Sequence, residues 1–217
     1  MSTQLGSSGL VVNSTTLSTA VTDRGTPISI VSFTSTGTYT VPSNCTRILV
    51  QLVGGGGGSA GYAESGGSGG FAEGTFTVTP GASYTVTIGG GGGAVGYYAA
   101  AGNGGTTSFG SLLSATGGYG SNNNYSHGGG HGGLGSGGQV NLYGGTGTGH
   151  MNHGSHSQTG NGGGSFFGGP PSIQRHNPGG QNNYSWAPGS GGSSNEGDDG
   201  SMGSPGASGL AIVYAFT

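Results

Sequence analysis

The sequence predicts an all-β fold: a small antiparallel β-sandwich, jelly-roll-like, carrying long glycine-rich excursions. Three observations lead there. Short β-branched runs with two-residue alternation recur along the chain and end it. Glycine fills 58 of 217 positions, roughly four times the usual share of about 7%. The glycine segments leave strands and return to apolar sequence, which marks them as excursions from one sandwich and not as linkers between domains.

The elements follow in chain order. Residues 28–33 (ISIVSF) are apolar and β-branched. Residues 38–41 (TYTV) end at Pro42, which cannot donate to a ladder and points to an edge or a corner. Residues 47–53 (RILVQLV) are apolar on both faces apart from Gln51, as a central strand requires. Residues 74–79 alternate strictly. Pro80-Gly81-Ala82-Ser83 reads as a type II turn, and residues 84–88 alternate again, so 74–88 reads as a hairpin. Residues 108–115 (SFGSLLSA) are a weaker strand candidate. Residues 210–216 (LAIVYAF) place Leu210, Ile212, Tyr214 and Phe216 on one face.

The glycine-rich stretches cover most of 54–70, 89–107 and 117–209. About ninety residues without structure in the last of these would argue against a compact domain. Two readings stand. The segments form packed polyproline/polyglycine II helices, with three residues per turn, no internal hydrogen bonds and neighbours bonded backbone to backbone. Or they are flexible loops. Residues 1–27 differ from both kinds of segment; they read as an N-terminal attachment arm or as one more strand of the same sheet. The domain proper is 28–217.

Composition excludes several functions. Three arginines (Arg24, Arg47, Arg175), six carboxylates and no lysine leave no basic patch, so no nucleic-acid partner is expected. No apolar run reaches the ~20 residues of a membrane span, and the first residues lack the pattern of a signal peptide, so folding in a cytoplasm without membrane insertion is expected. The lone Cys45, entering an apolar strand, reads as structural.

A family resemblance is carried by residues 33–42 (FTSTGTYTVP), then by residues 47–53 and the five glycines from Gly54 to Gly58. Residues 70–74 (GFAEG), the Pro80-Gly81 turn, residues 84–93 and residues 209–214 (GLAIVY) continue it. The pattern resembles the glycine-rich domain of bacteriophage tail-fibre and receptor-binding proteins, across about residues 28–217. The resemblance implies a virion part, commonly a fibre tip or host-recognition module. Phage adhesins with stacked polyglycine helices place aromatic loops between glycine runs, which implies receptor contacts in the loops here.

The aromatics of the excursions are therefore the candidate receptor-binding residues: Tyr97, Tyr98, Tyr119, Tyr125, Tyr143, Phe166, Phe167, Tyr184 and Trp186. An aromatic ring offers a large apolar face and, in Tyr or Trp, a polar tip at low entropy cost. Neighbouring runs 122–124 (NNN) and 181–183 (QNN) suit sugar hydroxyls. The competing role for each ring is packing onto the sandwich or into a subunit interface. His150, His153 and His156 are spaced three apart, about 9 Å between neighbours in polyproline II geometry. That is too far for two of them to bind one ion. Glu196, Asp198 and Asp199 fit a solvated loop better than a Ca²⁺ site. No metal, no cofactor and no catalytic constellation are expected.

Three functions compete: a virion fibre or adhesin recognising a bacterial polysaccharide or outer-membrane component, a virion structural protein without receptor contact, and a free ice-binding or matrix protein. The expected partners are other virion proteins, reached through the N-terminal arm, and the receptor. A homotrimer or a monomeric tip would fit such a part.

Overall fold

In a computed structural model of the chain, the described residues are 26–61, 64–96, 99–122, 128–149, 160–169, 187–194 and 203–217, with strand positions 11–12, 15–16, 151–153 and 156–158. The architecture is all-β, with two antiparallel sheets of five strands each. Sheet I holds β3 (Ser29–Phe33), β5 (Arg47–Val53), β6 (Phe71–Thr77), β11 (Val140–Leu142) and β14 (Leu210–Phe216), in the order β11-β6-β5-β14-β3. Sheet II holds β4 (Gly37–Thr40), β7 (Ser83–Thr87), β8 (Thr107–Phe109), β9 (Leu113–Ala115) and β10 (Gly135–Ser136), in the order β10-β9-β8-β7-β4. Two small hairpins stand apart: β1 (Val11–Val12) with β2 (Thr15–Thr16), and β12 (Met151–His153) with β13 (His156–Gln158).

The sandwich closes around one core. Sheet I contributes Ile48, Val50, Leu52, Ala72, Ala211, Val213 and Ala215; sheet II contributes Tyr39, Val86, Phe109, Leu113 and Ala115. As its two-sided apolarity predicts, β5 is the central strand of sheet I, and β4, which runs toward Pro42, is an edge of sheet II. Cys45 is fully buried, its Sγ donating to the Arg47 carbonyl, which agrees with a structural role.

Three local expectations need correction. Residues 74–88 are not a hairpin. β6 pairs with β5 and β11, whereas β7 pairs with β4 and β8 in the other sheet. The turn between them is a corner: Gly81 takes φ 80°, as a type II turn requires, while Val41 N donates to Ala82 O and Gly81 N to Val41 O, tying the corner to the strand of sheet II. Alternation cannot distinguish a hairpin from a crossing, because both need only a tight turn. Residues 108–115 are not one strand but two, β8 and β9, folded back over a left-handed Gly110. In the N-terminal region, β1 pairs with β2, so residues 11–12 are not a strand of either large sheet.

The glycine runs form a lattice. At one pole of the sandwich the strands, apart from the direct β3–β4 connection, continue into extended segments, and ten such segments are bonded side by side: 54–59, 64–70, 88–95, 101–106, 116–121, 129–134, 143–148, 160–164, 189–194 and 203–209. The bonding repeats every third residue. Gly54 and Gly57 donate to Gly70 and Gly67; Gly55 and Gly58 to Gly105 and Gly102; Gly56 and Ser59 to Ala207 and Ser204. This is the signature of a helix with three residues per turn and no internal bonds, the polyglycine II arrangement. Segment 54–59 also accepts bonds from 88–95, 116–121 and 189–194, which gives it six neighbours. Segment 64–70 likewise has six. The other eight form a closed ring around these two centres.

Side chains are excluded by this packing. A Cβ on Gly56 would overlap the Ser190 carbonyl, one on Gly57 the Tyr119 carbonyl and one on Gly66 the Gly57 carbonyl. The entropy lost in ordering so much glycine is offset by satisfying nearly every backbone group of the central rods inside the lattice.

Candidate functional site

The rods leave the sandwich and return in alternation, so chain direction sorts their connections into two groups. The described flanks 61 and 64, 96 and 99, 122 and 128, 149 and 160, and 194 and 203 all stand at the end of the lattice away from the sandwich. Five connections therefore begin and end at that far pole. One other, between 169 and 187, begins and ends beside the sandwich, where a Cβ on Gly189 would meet Val53.

The far pole is built from small buried polar side chains. Ser59 Oγ lies 2.7 Å from the Ser193 carbonyl and 3.1 Å from that of Ser204, and accepts from Ser204 N at 2.8 Å. Ser194 Oγ accepts from Gly160 N at 2.8 Å, and Ser121 Oγ from Ala60 N at 2.9 Å. These hydroxyls take over where the three-residue bonding pattern ends. They are small enough for the lattice and polar enough to satisfy its last backbone groups. Sequence reasoning passed over them; the available signal was serine at the ends of glycine runs, as in Gly58-Ser59 and Gly192-Ser193-Ser194. Glu64 is also buried here, 4% exposed.

Of the candidate receptor-binding residues, Tyr97, Tyr98, Tyr125, Tyr184 and Trp186 lie outside the described residues. In sequence, Tyr97 and Tyr98 fall between the far-pole flanks 96 and 99, Tyr125 between 122 and 128, and Tyr184 and Trp186 between 169 and 187. The other four divide clearly. Phe166 stacks on Phe71 with ring centroids 3.7 Å apart, and Phe167 meets both rings edge-on. These two act as packing that pins the chain to sheet I, although Phe166 remains 54% exposed. Tyr119 is held in the lattice by its backbone, donating to His131 O and accepting from Gly67 N, while the residue is 56% exposed. Tyr143, bridged to Leu134 where β11 passes into its rod, is 75% exposed. The structure thus does not gather all nine rings into one site.

The histidine row also changes. His153 and His156 are cross-strand partners of the antiparallel pair β12–β13, not successive turns of a polyproline II helix. His150, Glu196, Asp198 and Asp199 lie outside the described residues. Among the described residues no group of three His, Cys, Asp or Glu side chains is placed to hold a metal ion.

Comparison with curated proteins gives no match. A family pattern described as a glycine-rich domain matches residues 32–216, the lattice and all of the sandwich but the first residues of β3. The chain belongs to this glycine-rich domain family.

Proposed function

We propose that this protein is a bacteriophage virion fibre or adhesin component that recognises a bacterial surface through the connections at the far pole of its glycine lattice. The supporting observation is architectural. Ten interlocked rods make a rigid stem, and five connections open from one end of it, remote from the sandwich. Rigid framework with variable loops at one end is the arrangement of recognition modules, because the framework bears the entropy of order while loop sequence is free to change. The loops are rich in Tyr, Asn, His and Ser, with Glu196, Asp198 and Asp199 in one of them, in a chain with few charges, which suits a polysaccharide or an outer-membrane component. The role is binding and not catalysis, in a virion, after synthesis in the host cytoplasm. The opening motif at residues 33–58 supports the phage assignment by resemblance.

The test is binding of fluorescently labelled full-length protein to a panel of intact bacteria. The reading expects saturable binding to a narrow set of strains. It expects loss of binding in Tyr97→Ala/Tyr98→Ala and in Tyr125→Ala, with little change in Tyr184→Ala/Trp186→Ala. A well-folded protein that binds no strain would favour a virion structural role.

A further inference from the structure

The outer face of sheet I is built the wrong way round for a surface in water. On β14 the small residues Ala211, Val213 and Ala215 point into the core, so Ile212, Tyr214 and Phe216 point outward. On β5 the same alternation turns Leu49 outward, and on the edge strand β3 Ile30 is 59% exposed. At the other edge Val140 and Leu142 of β11 are also exposed. Contiguous apolar surface of this kind marks an interface. Among the described residues, the chain covers one corner of this face, where Phe166 and Phe167 sit on Phe71.

We infer that this face seats a second copy of the same chain, sheet on sheet, in a two-fold dimer. Two observations select that occupant. The first is charge. Among the described residues the face carries one cation, Arg47 over the Phe216 ring at 5.2 Å, and one carboxylate, Glu73, fixed by Gln51 Nε2 at 2.7 Å. They stand on adjacent strands, four positions apart in register, since Glu73 pairs with Gln51. A two-fold axis through such a face brings each arginine toward the partner's glutamate, so the surface is complementary to itself. The second is area. Five strands about 4.8 Å apart and about six residues long on average, at 3.3 Å per residue, make a face of roughly 475 Å². Two such faces bury roughly 950 Å², the size of a weak, concentration-dependent interface. Stacked sheets about 10 Å apart are the ordinary way to cover such a face.

The experiment is sedimentation velocity of the full chain from low to high micromolar concentration, for wild type, Arg47→Glu, Glu73→Arg and an equimolar mixture of the two variants. Circular dichroism checks that each is folded. The expected result is a concentration-dependent wild-type dimer, each variant alone shifted to monomer by at least tenfold in dissociation constant, and the dimer recovered in the mixture, where both charge pairs are opposite again. A wild type that is monomeric throughout would overturn the inference, as would a dimer or trimer indifferent to both reversals. So would a mixture that stays monomeric. None of these outcomes bears on receptor binding at the far pole, which is read separately on bacteria.

Discussion

Replacing a central-rod glycine by alanine should be far more damaging than replacing a peripheral one, although both changes add the same methyl group. At Gly56 the added Cβ would overlap the carbonyl of Ser190 and lie 2.9 Å from Gly191 N. Both are backbone, so no side chain can swing away. Relief requires segment 189–194 to move outward. That would break Gly192 N to Gly57 O, Gly66 N to Gly192 O and Gly69 N to Gly189 O. Three bonds at about 1 kcal/mol net each, plus the imperfect packing left behind, give a loss of about 3–4 kcal/mol. At Gly90 an added Cβ meets nothing within 4 Å. There alanine chiefly restricts the unfolded chain and should be neutral or stabilising by about 0.4–1 kcal/mol. At about 2–4 °C per kcal/mol for a domain of this size, Gly56→Ala should melt about 10 °C below wild type and Gly90→Ala at or slightly above it. Differential scanning calorimetry at matched scan rates measures both. Melting temperatures within two degrees of each other would refute the reasoning, since they would mean that the runs do not pack through their backbones.

Other expectations follow from the same structure. Ser59→Ala leaves the last lattice groups around Ser193 and Ser204 without a hydroxyl and should destabilise by about 1–3 kcal/mol in urea titration. Gly81→Ala meets no steric obstacle but must hold φ 80°, so its loss should be about 1–2 kcal/mol and purely conformational; Gly81→Asn should recover part of it. Tyr39 OH is buried with no hydrogen-bond partner, and Tyr39→Phe should be neutral or stabilising by about 1 kcal/mol. Burial, with the nearby Cys45 thiol adding to it, raises the Tyr39 phenol above its ordinary value of 10.0. The stability this group contributes is therefore whole below pH 10.0 and falls as pH rises above it, because the unfolded chain ionises first. Alkaline denaturation of wild type should exceed that of Tyr39→Phe, and equal alkaline sensitivity would remove the phenol from the account.

Strands β3 to β7 and β14 were legible in the sequence because each is a short β-prone run bounded by turn or glycine residues, whereas β10 and β11, two and three residues inside the glycine-rich stretch 117–209, are too short to show a period. The central place of residues 47–53 was visible in their two-sided apolarity. What alternation could not say was which face of residues 210–216 points inward. The small row does, because sheet II supplies the bulk of Phe109, Leu113 and Tyr39 on the opposite side. Alternation also could not separate a hairpin from a corner at Pro80-Gly81, since sheet membership depends on partners distant in the chain. The lattice was one of two open readings. Its period of three is carried by backbone bonds and only weakly by side chains, so composition shows glycine but not order. The site was least legible. Phe166 and Phe167 look like any loop aromatics until Phe71 is seen beneath them, whereas Tyr119 and Tyr143 keep their exposure on rods.

The central claim is that the glycine runs are an ordered, hydrogen-bonded lattice. Amide hydrogen exchange of uniformly ¹⁵N-labelled protein tests it most directly. The account predicts that the amides of Gly55, Gly56, Gly57, Gly66 and Gly67 exchange as slowly as those of β5, with protection near the global unfolding free energy. Exchange of those glycines at unprotected-peptide rates, with the β5 amides still protected, would contradict it.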